Sequence, residues 1–322
     1  MKKMILGVGN ALVDALYPGF SDSLLAELSL PKGSMQLIDQ STFKAITSRM
    51  AANERHRTTG GSACNTIVAL AHLGVPTAVA GKVGPDADGA FFADSFAAAG
   101  AHLNLASSPL PTGVASAFIT PDGERTFATF LGAAATMGVE DICDAWFDGV
   151  DTVYIEGYLV QNSDFVLTRA RRAHNAGLTV CLDMASYNVV EAARDTFDRL
   201  LDYTDILFAN EEEARAFTGQ APQEALRTLA ARVGMAVVKT GKQGALAMQG
   251  DEVAERPAKP VPHVADTTAA GDYFAAGFLY ARSMGYDLGR CIETGHALAG
   301  EIVQVVGTRL EESTWQRLKA AL

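Results

Sequence analysis

The 322-residue chain lacks the features that would assign it to several whole classes of function. It has only four cysteines, Cys64, Cys143, Cys181 and Cys291, far apart and without a C-x-x-C pair. Neither a disulfide framework nor a cysteine zinc site follows from that spacing, and the four read as free core thiols of a reducing compartment. The six histidines have no ligand spacing, which removes a histidine-held zinc as well. Basic residues are in deficit, 26 Lys and Arg against 37 Asp and Glu, and a formal net charge of −11 leaves no cationic footprint for nucleic acid. No apolar run approaches a membrane span. The opening "MKKMILGVGNALVDALY" begins like a leader, but Gly7, Gly9, Asn10 and Asp14 interrupt its apolar stretch, so it reads as a buried first strand. A cytoplasmic location is expected. With no repeat, low-complexity linker or tandem boundary, residues 1–322 read as one domain.

What is present is a large apolar complement, 48% of residues, ample for a sizeable core. Apolar β-rich runs such as "MILGVG", "TAVAGKVG", "DTVYIEG", "LTVCLDM", "DILFAN" and "AVVKTG" alternate with amphipathic stretches. The spacing predicts helices in "SACNTIVALAHLG" and "DGAFFADSFAAAG", and near 162–176, 188–201, 270–284, 288–304 and 313–321. Continuous apolar strands alternating with helices imply an α/β fold with a largely parallel sheet covered on both faces. Residues 15–40 and 112–134 break that rhythm. The second reads as a hairpin turning at "PDGE", and both are expected to leave the main sheet and pack together as a small β-rich lid.

Several stretches carry candidate chemistry. In an open α/β sheet, ligands bind where strands end and loops lead into helices. "DTTAAGD" (266–272) places the small residues Ala269, Ala270 and Gly271 at a helix start, where amides and the macrodipole suit an anion. Asp272 there is either a helix cap or a base that takes the proton of a hydroxyl attacking a phosphoryl group. "GGSACNT" (60–66) allows close backbone approach at its two glycines and offers Asn65 one turn in, although a plain tight turn reads the same way. "GNALVD" sets Asp14 beyond the first strand, as a hydroxyl-accepting carboxylate or a turn residue. In "NEEEA", Glu211 and Glu212 fit dipole complementation, while Asn210 and Glu213 share one face and suit a hydrated Mg²⁺. "KTGKQGA" puts Gly241 and Gly244 around a turn after a strand but is no Walker A loop. "GVGNAL" has Leu12 where a dinucleotide fingerprint needs its third glycine, so a dehydrogenase is disfavoured. Arg125, on the expected lid, is a solvated arginine or a phosphate clamp.

In order and separation these motifs resemble the PfkB family of carbohydrate and nucleoside kinases, the ribokinase and adenosine kinase group. "GGSACN" looks like its amino-terminal motif and "DTTAAGD" its carboxy-terminal one. "NEEE" fits its Asn-x-x-Glu pattern, and "KTGKQG" falls at its Gly-x-x-Gly nucleotide loop. "GNALVD", "KGSMQLID" and "GERTFATFLGAA" look most like bacterial adenosine-kinase-like members.

The resemblance spans the chain and implies a ribokinase-like three-layer α/β/α fold with a lid. It implies a kinase that moves the γ-phosphoryl group of ATP, with Mg²⁺, to a primary hydroxyl of a nucleoside, or of a sugar of the ribose, fructose or keto-deoxy type. Asp272 then matches the catalytic base and 269–271 the anion hole. Asp14, Gly60, Gly61 and Asn65 match acceptor-binding positions, and Arg125 a lid arginine that reaches phosphate. Asn210, Thr240, Gly241 and Gly244 match ATP-binding positions and Glu213 a magnesium position. Asp266 and Thr268 match the start of a monovalent-cation (K⁺) loop, although "QVVGTRL" departs from ribokinase. A nucleotide-binding regulator without turnover is the alternative of another class, and monomer and homodimer are both compatible.

Overall fold

The computed structural model describes residues 4–322 apart from 52, 54 and 123, so the basic opening residues and the glycine of the "PDGE" turn lie outside the described residues. Fourteen strands are present among the described residues. They are β1 (Met4–Val8), β2 (Leu12–Pro18), β3 (Met35–Leu37), β4 (His56–Gly60), β5 (Thr77–Val83), β6 (His102–Ser107) and β7 (Gly113–Ile119). They continue with β8 (Arg125–Phe130), β9 (Val150–Glu156), β10 (Thr179–Asp183), β11 (Ile206–Asn210), β12 (Met235–Lys239), β13 (Ala245–Gln249) and β14 (Glu252–Arg256). Nine form one sheet in the order β14-β13-β12-β11-β10-β9-β1-β5-β6. Every pairing from β12 to β6 is parallel, whereas β12-β13 and β13-β14 are antiparallel and turn the chain back at one edge.

Alternation of side chains along a strand assigns consecutive residues to opposite faces. Ile5, Val79, Tyr154, Cys181, Phe208 and Val237 join one core with helices Ser62–His72, Ala270–Ser283 and Leu288–Ile302. Their neighbours Leu6, Ala80, Val153, Leu182, Leu207 and Val238 join a second core under helices Ser163–Asn175, Arg194–Leu201 and Pro222–Ala230. This is the three-layer α/β/α arrangement, and it explains why these strands read as unbroken apolar runs.

The other five strands form a smaller sheet, β3-β8-β7-β2-β4, mixed in direction. It has a separate core in which Tyr17 and Phe20 pack on Phe118 with ring centroids 5.3 and 4.5 Å apart. Helix Gln40–Arg49 packs on it through Ile46 and through Phe43, which stacks on Phe130. Strand β4 and this helix come from the segment 40–60, which has no clear apolar periodicity, so the small sheet draws on more of the chain than 15–40 and 112–134. The helix expected near 188–201 is two, Tyr187–Ala192 and Arg194–Leu201, interrupted at Ala193, whose φ of −122° and ψ of 31° leave the helical region. Cys64, Cys181 and Cys291 are buried as expected, but Cys143 is exposed, because its segment 139–147 is a pair of short turns on the surface.

Helices Ala270–Ser283 and Leu288–Ile302 approach so closely that a methyl group at Gly277 would lie 2.5 Å from the Thr294 carbonyl oxygen. Since backbone cannot swing aside, overpacking of this kind costs about 1–3 kcal/mol, more than the gain in helix propensity. Gly277→Ala is therefore expected to lower the denaturant midpoint at constant m-value; an unchanged or raised midpoint contradicts this packing.

Candidate active site

At the carboxyl edge of the large sheet, four neighbouring strands each end in a polar residue: Glu156 of β9, Asp183 of β10, Asn210 of β11 and Lys239 of β12. Above them lies a cleft of about 1350 Å³. Leu12, Met35, Leu37, Phe127 and Leu131 border it from the small-sheet side, and Asp272 borders it from the large-sheet side.

Asp272 is the third residue of helix Ala270–Ser283, and it does not cap that helix. The N-cap is Ala269, in the left-handed region at φ 62°, and no side chain caps the first turn. A non-glycine residue there costs about 1–2 kcal/mol, held by the surrounding turn. Instead, the Asp272 carboxylate reaches a second helix N-terminus. Ser62 Oγ donates to its Oδ1 at 2.7 Å and Asn65 Nδ2 to its Oδ2 at 2.9 Å. Thr66 Oγ1 donates to the Asp272 carbonyl at 3.2 Å. Burial pushes the Asp272 pKa up to about 6, against the lowering effect of those two side-chain hydrogen bonds. Ala269, Ala270 and Gly271 border the cleft beside it. The Ala270 amide closes a turn on the Thr267 carbonyl at 3.2 Å, and Lys239 Nζ lies 3.1 Å from where a Gly271 methyl would stand.

The paired glycines serve a different neighbour from the one expected. A Cβ at Gly60 would collide with the Asp14 carboxylate, and one at Gly61, whose φ is 94°, with the Asn10 carbonyl. The close approach is thus between this turn and residues 10–14, the end of the β1–β2 connection and the start of β2, and it brings Asp14 to the cleft beside Gly61, Ser62 and Asn65. Gly60 itself does not border the cleft. Burial raises the Asp14 pKa to about 7, with Arg309 opposing and the Asp272 charge adding.

Asn210 and Glu213 form a reciprocal capping box. Asn210 Oδ1 accepts from the Glu212 and Glu213 amides at 2.9 and 2.8 Å, while the Glu213 carboxylate accepts from Asn210 N and Nδ2 at 2.7 and 2.6 Å. Glu213 nonetheless borders the cleft, and burial with the nearby Asp183 charge raises its pKa while Lys239 opposes. Lys239 Nζ donates to Asp183 Oδ2 at 3.1 Å; burial works against its charge, but Asp183 and Glu213 outweigh that and raise its pKa. Gly241 and Gly244 line the same end of the cleft, whereas Thr240 is buried behind them.

Arg125 and Asp266 do not border the cleft as separate groups: Arg125 of β8 pairs with Asp266, in the loop that leads into helix Ala270–Ser283. Arg125 bonds Asp266 Oδ1 and donates to Thr268 Oγ1 at 2.9 Å. The Thr268 amide takes Oδ1 and the Gly307 amide Oδ2, each at 2.8 Å. Burial favours the neutral acid at Asp266, but these donors prevail and hold its pKa low. With a guanidinium already supplying the positive charge, this donor set does not suit K⁺, and Arg125 is not free for a phosphate in this arrangement.

Glu156, Asp183, Lys239 and Arg309 are site residues that the motifs did not point to. Glu156 accepts from the Asn10 amide, Asn10 Nδ2 and the Ala63 amide at 2.9, 2.5 and 3.0 Å, tying β1, β9 and helix Ser62–His72 together. Burial raises its pKa to about 7 despite those bonds. The first three had a readable signal: each is the charged residue that closes an apolar strand, in "VYIE", "VCLD" and "VVK".

Asp14, Glu156, Glu213 and Asp272 all hold protons more tightly folded than unfolded, so their contribution is full at low pH and is lost as pH rises through their folded pKa values. The Tm of the ligand-free protein is expected to fall between pH 5 and pH 8, by less in Asp14→Asn; a Tm that rises over that interval contradicts these shifts.

The pfkB family carbohydrate kinase profile matches residues 33–315. Among solved structures, an adenosine kinase from Sinorhizobium meliloti superposes with a TM-score of 0.89 at 33% identity, covering 100% of both chains. A probable sugar kinase from Rhizobium etli CFN 42 gives 0.90 at 33%, covering 100% of this chain and 99% of the other. An adenosine kinase from Schizosaccharomyces pombe is 24% identical over 95% of this chain and 96% of its own length. Two helix starts meeting at one carboxylate over a strand-end cleft, under a second sheet, accord with those likenesses: the chain belongs to the pfkB family of carbohydrate kinases, enzymes that phosphorylate hydroxyl acceptors.

Proposed function

We propose that the chain is an adenosine-type nucleoside kinase in which Asp272 takes the proton of the acceptor's primary hydroxyl while ATP supplies the phosphoryl group. One observation carries the role of Asp272: it is ionisable near neutrality, faces the cleft, and spends its hydrogen bonds on Ser62 and Asn65 rather than on capping its own helix. The first-turn amides at Gly271 and Asp272 have no partner within the helix and are the donors for charge developing on the phosphoryl group. Lys239, beside Gly271, adds a cation there. Asp14 receives acceptor hydroxyls, and the Gly241–Gly244 end takes the nucleotide. Glu213 and Asp183 retain lone pairs toward the cleft and fit a hydrated Mg²⁺ better than direct coordination, since no cluster of three acidic or imidazole ligands occurs among the described residues. That ion would screen the phosphates' charge. Arg125 fastens the small sheet to Asp266 and so closes the cleft over the acceptor, excluding water as a competitor.

A nucleoside is favoured over a free sugar by the roof. Leu12, Met35, Leu37, Phe127 and Leu131 form an apolar surface at the cleft, and Met35 and Leu37 are 42% and 51% exposed. A sugar gains little from such a surface, while a planar base is desolvated by it.

Asp272→Asn is expected to fold normally and lose on the order of 10²–10⁴ in kcat, the usual worth of a positioned base. Since the base acts ionised, wild-type kcat should fall as pH drops through about 6. Acceptor-dependent ADP release checks both, and a near-wild-type rate for the variant, or no acceptor dependence at all, removes the assignment. Phe127→Ala should raise KM for adenosine by about 10- to 100-fold, the worth of a buried aromatic side chain, and leave KM for ATP nearly unchanged. Turnover of ribose or fructose exceeding that of adenosine would turn the reading toward a sugar kinase.

A further inference from the structure

Arg309 lies in the loop between helices Leu288–Ile302 and Glu312–Ala321, and it does not border the cleft. Its guanidinium is turned inward behind the acceptor site. Nη1 donates to Asn65 Oδ1 at 3.0 Å and to the Thr308 carbonyl at 2.7 Å, and Nη2 bonds Thr59 Oγ1. Asn65, 4% exposed, thus stands between Arg309 and Asp272, whose Oδ2 its Nδ2 reaches at 2.9 Å. A guanidinium only donates and a carboxylate only accepts, whereas an amide has one end of each kind. The three groups can be satisfied together in one order only: guanidinium, amide oxygen, amide nitrogen, carboxylate.

We propose that Arg309 is a positioning residue for phosphoryl transfer, locking the Asn65 amide with its NH₂ toward Asp272 and thereby keeping that carboxylate ionised as the proton acceptor. The inference rests on the reading of Asp272 as the base. Without the guanidinium, nothing charged fixes the amide, and its turned form sets an oxygen against a carboxylate oxygen, a contact tolerated only when Asp272 is protonated. The surroundings do not replace this control. Asp183 and Lys239 face Asp272 from the strand ends, Asp14 from the small sheet and Glu156 from β9. Tyr154, Tyr158, Tyr273 and Cys64 are neutral neighbours whose pKa values are raised chiefly by burial. Arg309 also opposes the raised pKa of Asp14, an effect that belongs to acceptor binding and so to KM.

The test is the pH dependence of kcat, with both substrates saturating, for Arg309→Met and Arg309→Gln. Gln keeps a donor for Asn65 Oδ1 but carries no charge, so the pair separates amide orientation from a general field effect. For Arg309→Met, kcat at pH 6 should fall about fivefold and recover to within about threefold of wild type by pH 9, an upward move of the acid limb by about one unit. Arg309→Gln should keep the limb near its wild-type position. In an Asn65→Ala background, Arg309→Met should move the limb no further, because the amide it controls is gone. The proposal is overturned if Met and Gln shift the limb equally, if Met lowers kcat by the same factor at every pH, or if Met leaves the profile unchanged. Arg309→Ala takes the place of Met should the latter not fold. Failure of the underlying reading looks different: Asp272→Asn would then turn over normally whatever residue 309 is.

Discussion

The site depends on one contact, the Asp272 carboxylate received by Ser62 and Asn65. It joins the first turns of two helices that are 210 residues apart in the chain for the Ser62 bond. Each helix brings amides and a positive dipole end, and the buried negative charge is stabilised where those ends converge. Neither helix could place a carboxylate there alone: one lacks an acid in its first turn, and the other has an acid that its own geometry does not use for capping. The cleft's chemistry is therefore a property of the packing of both helices on the same face of the sheet.

The strand ends form the second part of the arrangement. Glu156, Asp183, Asn210 and Lys239 sit side by side because parallel pairing aligns the ends of neighbouring strands. Burial there penalises charge, which raises Glu156 and Glu213; it also works against the charge of Lys239, whose pKa is nonetheless raised because Asp183 and Glu213 surround it. A row of this kind spends stability on ionisable groups that hydrophobic residues would pack more cheaply, which is common where charge is put to use.

Much of this was legible in the sequence. The α/β class and the positions of most helices followed from apolar periodicity; "NEEE" and "KTGKQG" pointed to strand ends that border the cleft, and "GGSACN" and "DTTAAGD" to the two helix starts beside it. What remained hidden was of three physical kinds. Strand β4 and helix Gln40–Arg49 are weakly apolar, since they are covered on one side only, and left no periodic signature. The Arg125–Asp266 pair joins strand β8 of the small sheet to the loop before helix Ala270–Ser283, and nothing local in "GERTF" or "ADTTA" announces that each is the other's partner. Arg309 is linked to Asp272 by way of Asn65, a connection that exists only once 59, 65, 272 and 309 are brought together by the fold.

The small sheet has a hydrophobic core of its own, built on Tyr17, Phe20 and Phe118, separate from the two cores of the large sheet. Residues such as Met35, Leu37 and Phe127, which border the cleft from β3 and β8 of that sheet, can therefore change without disturbing the layers that hold Asp272 and the strand-end acids. A chain built this way can drift in which alcohol it prefers while its phosphate chemistry stays intact, so one scaffold can supply many specificities over evolutionary time.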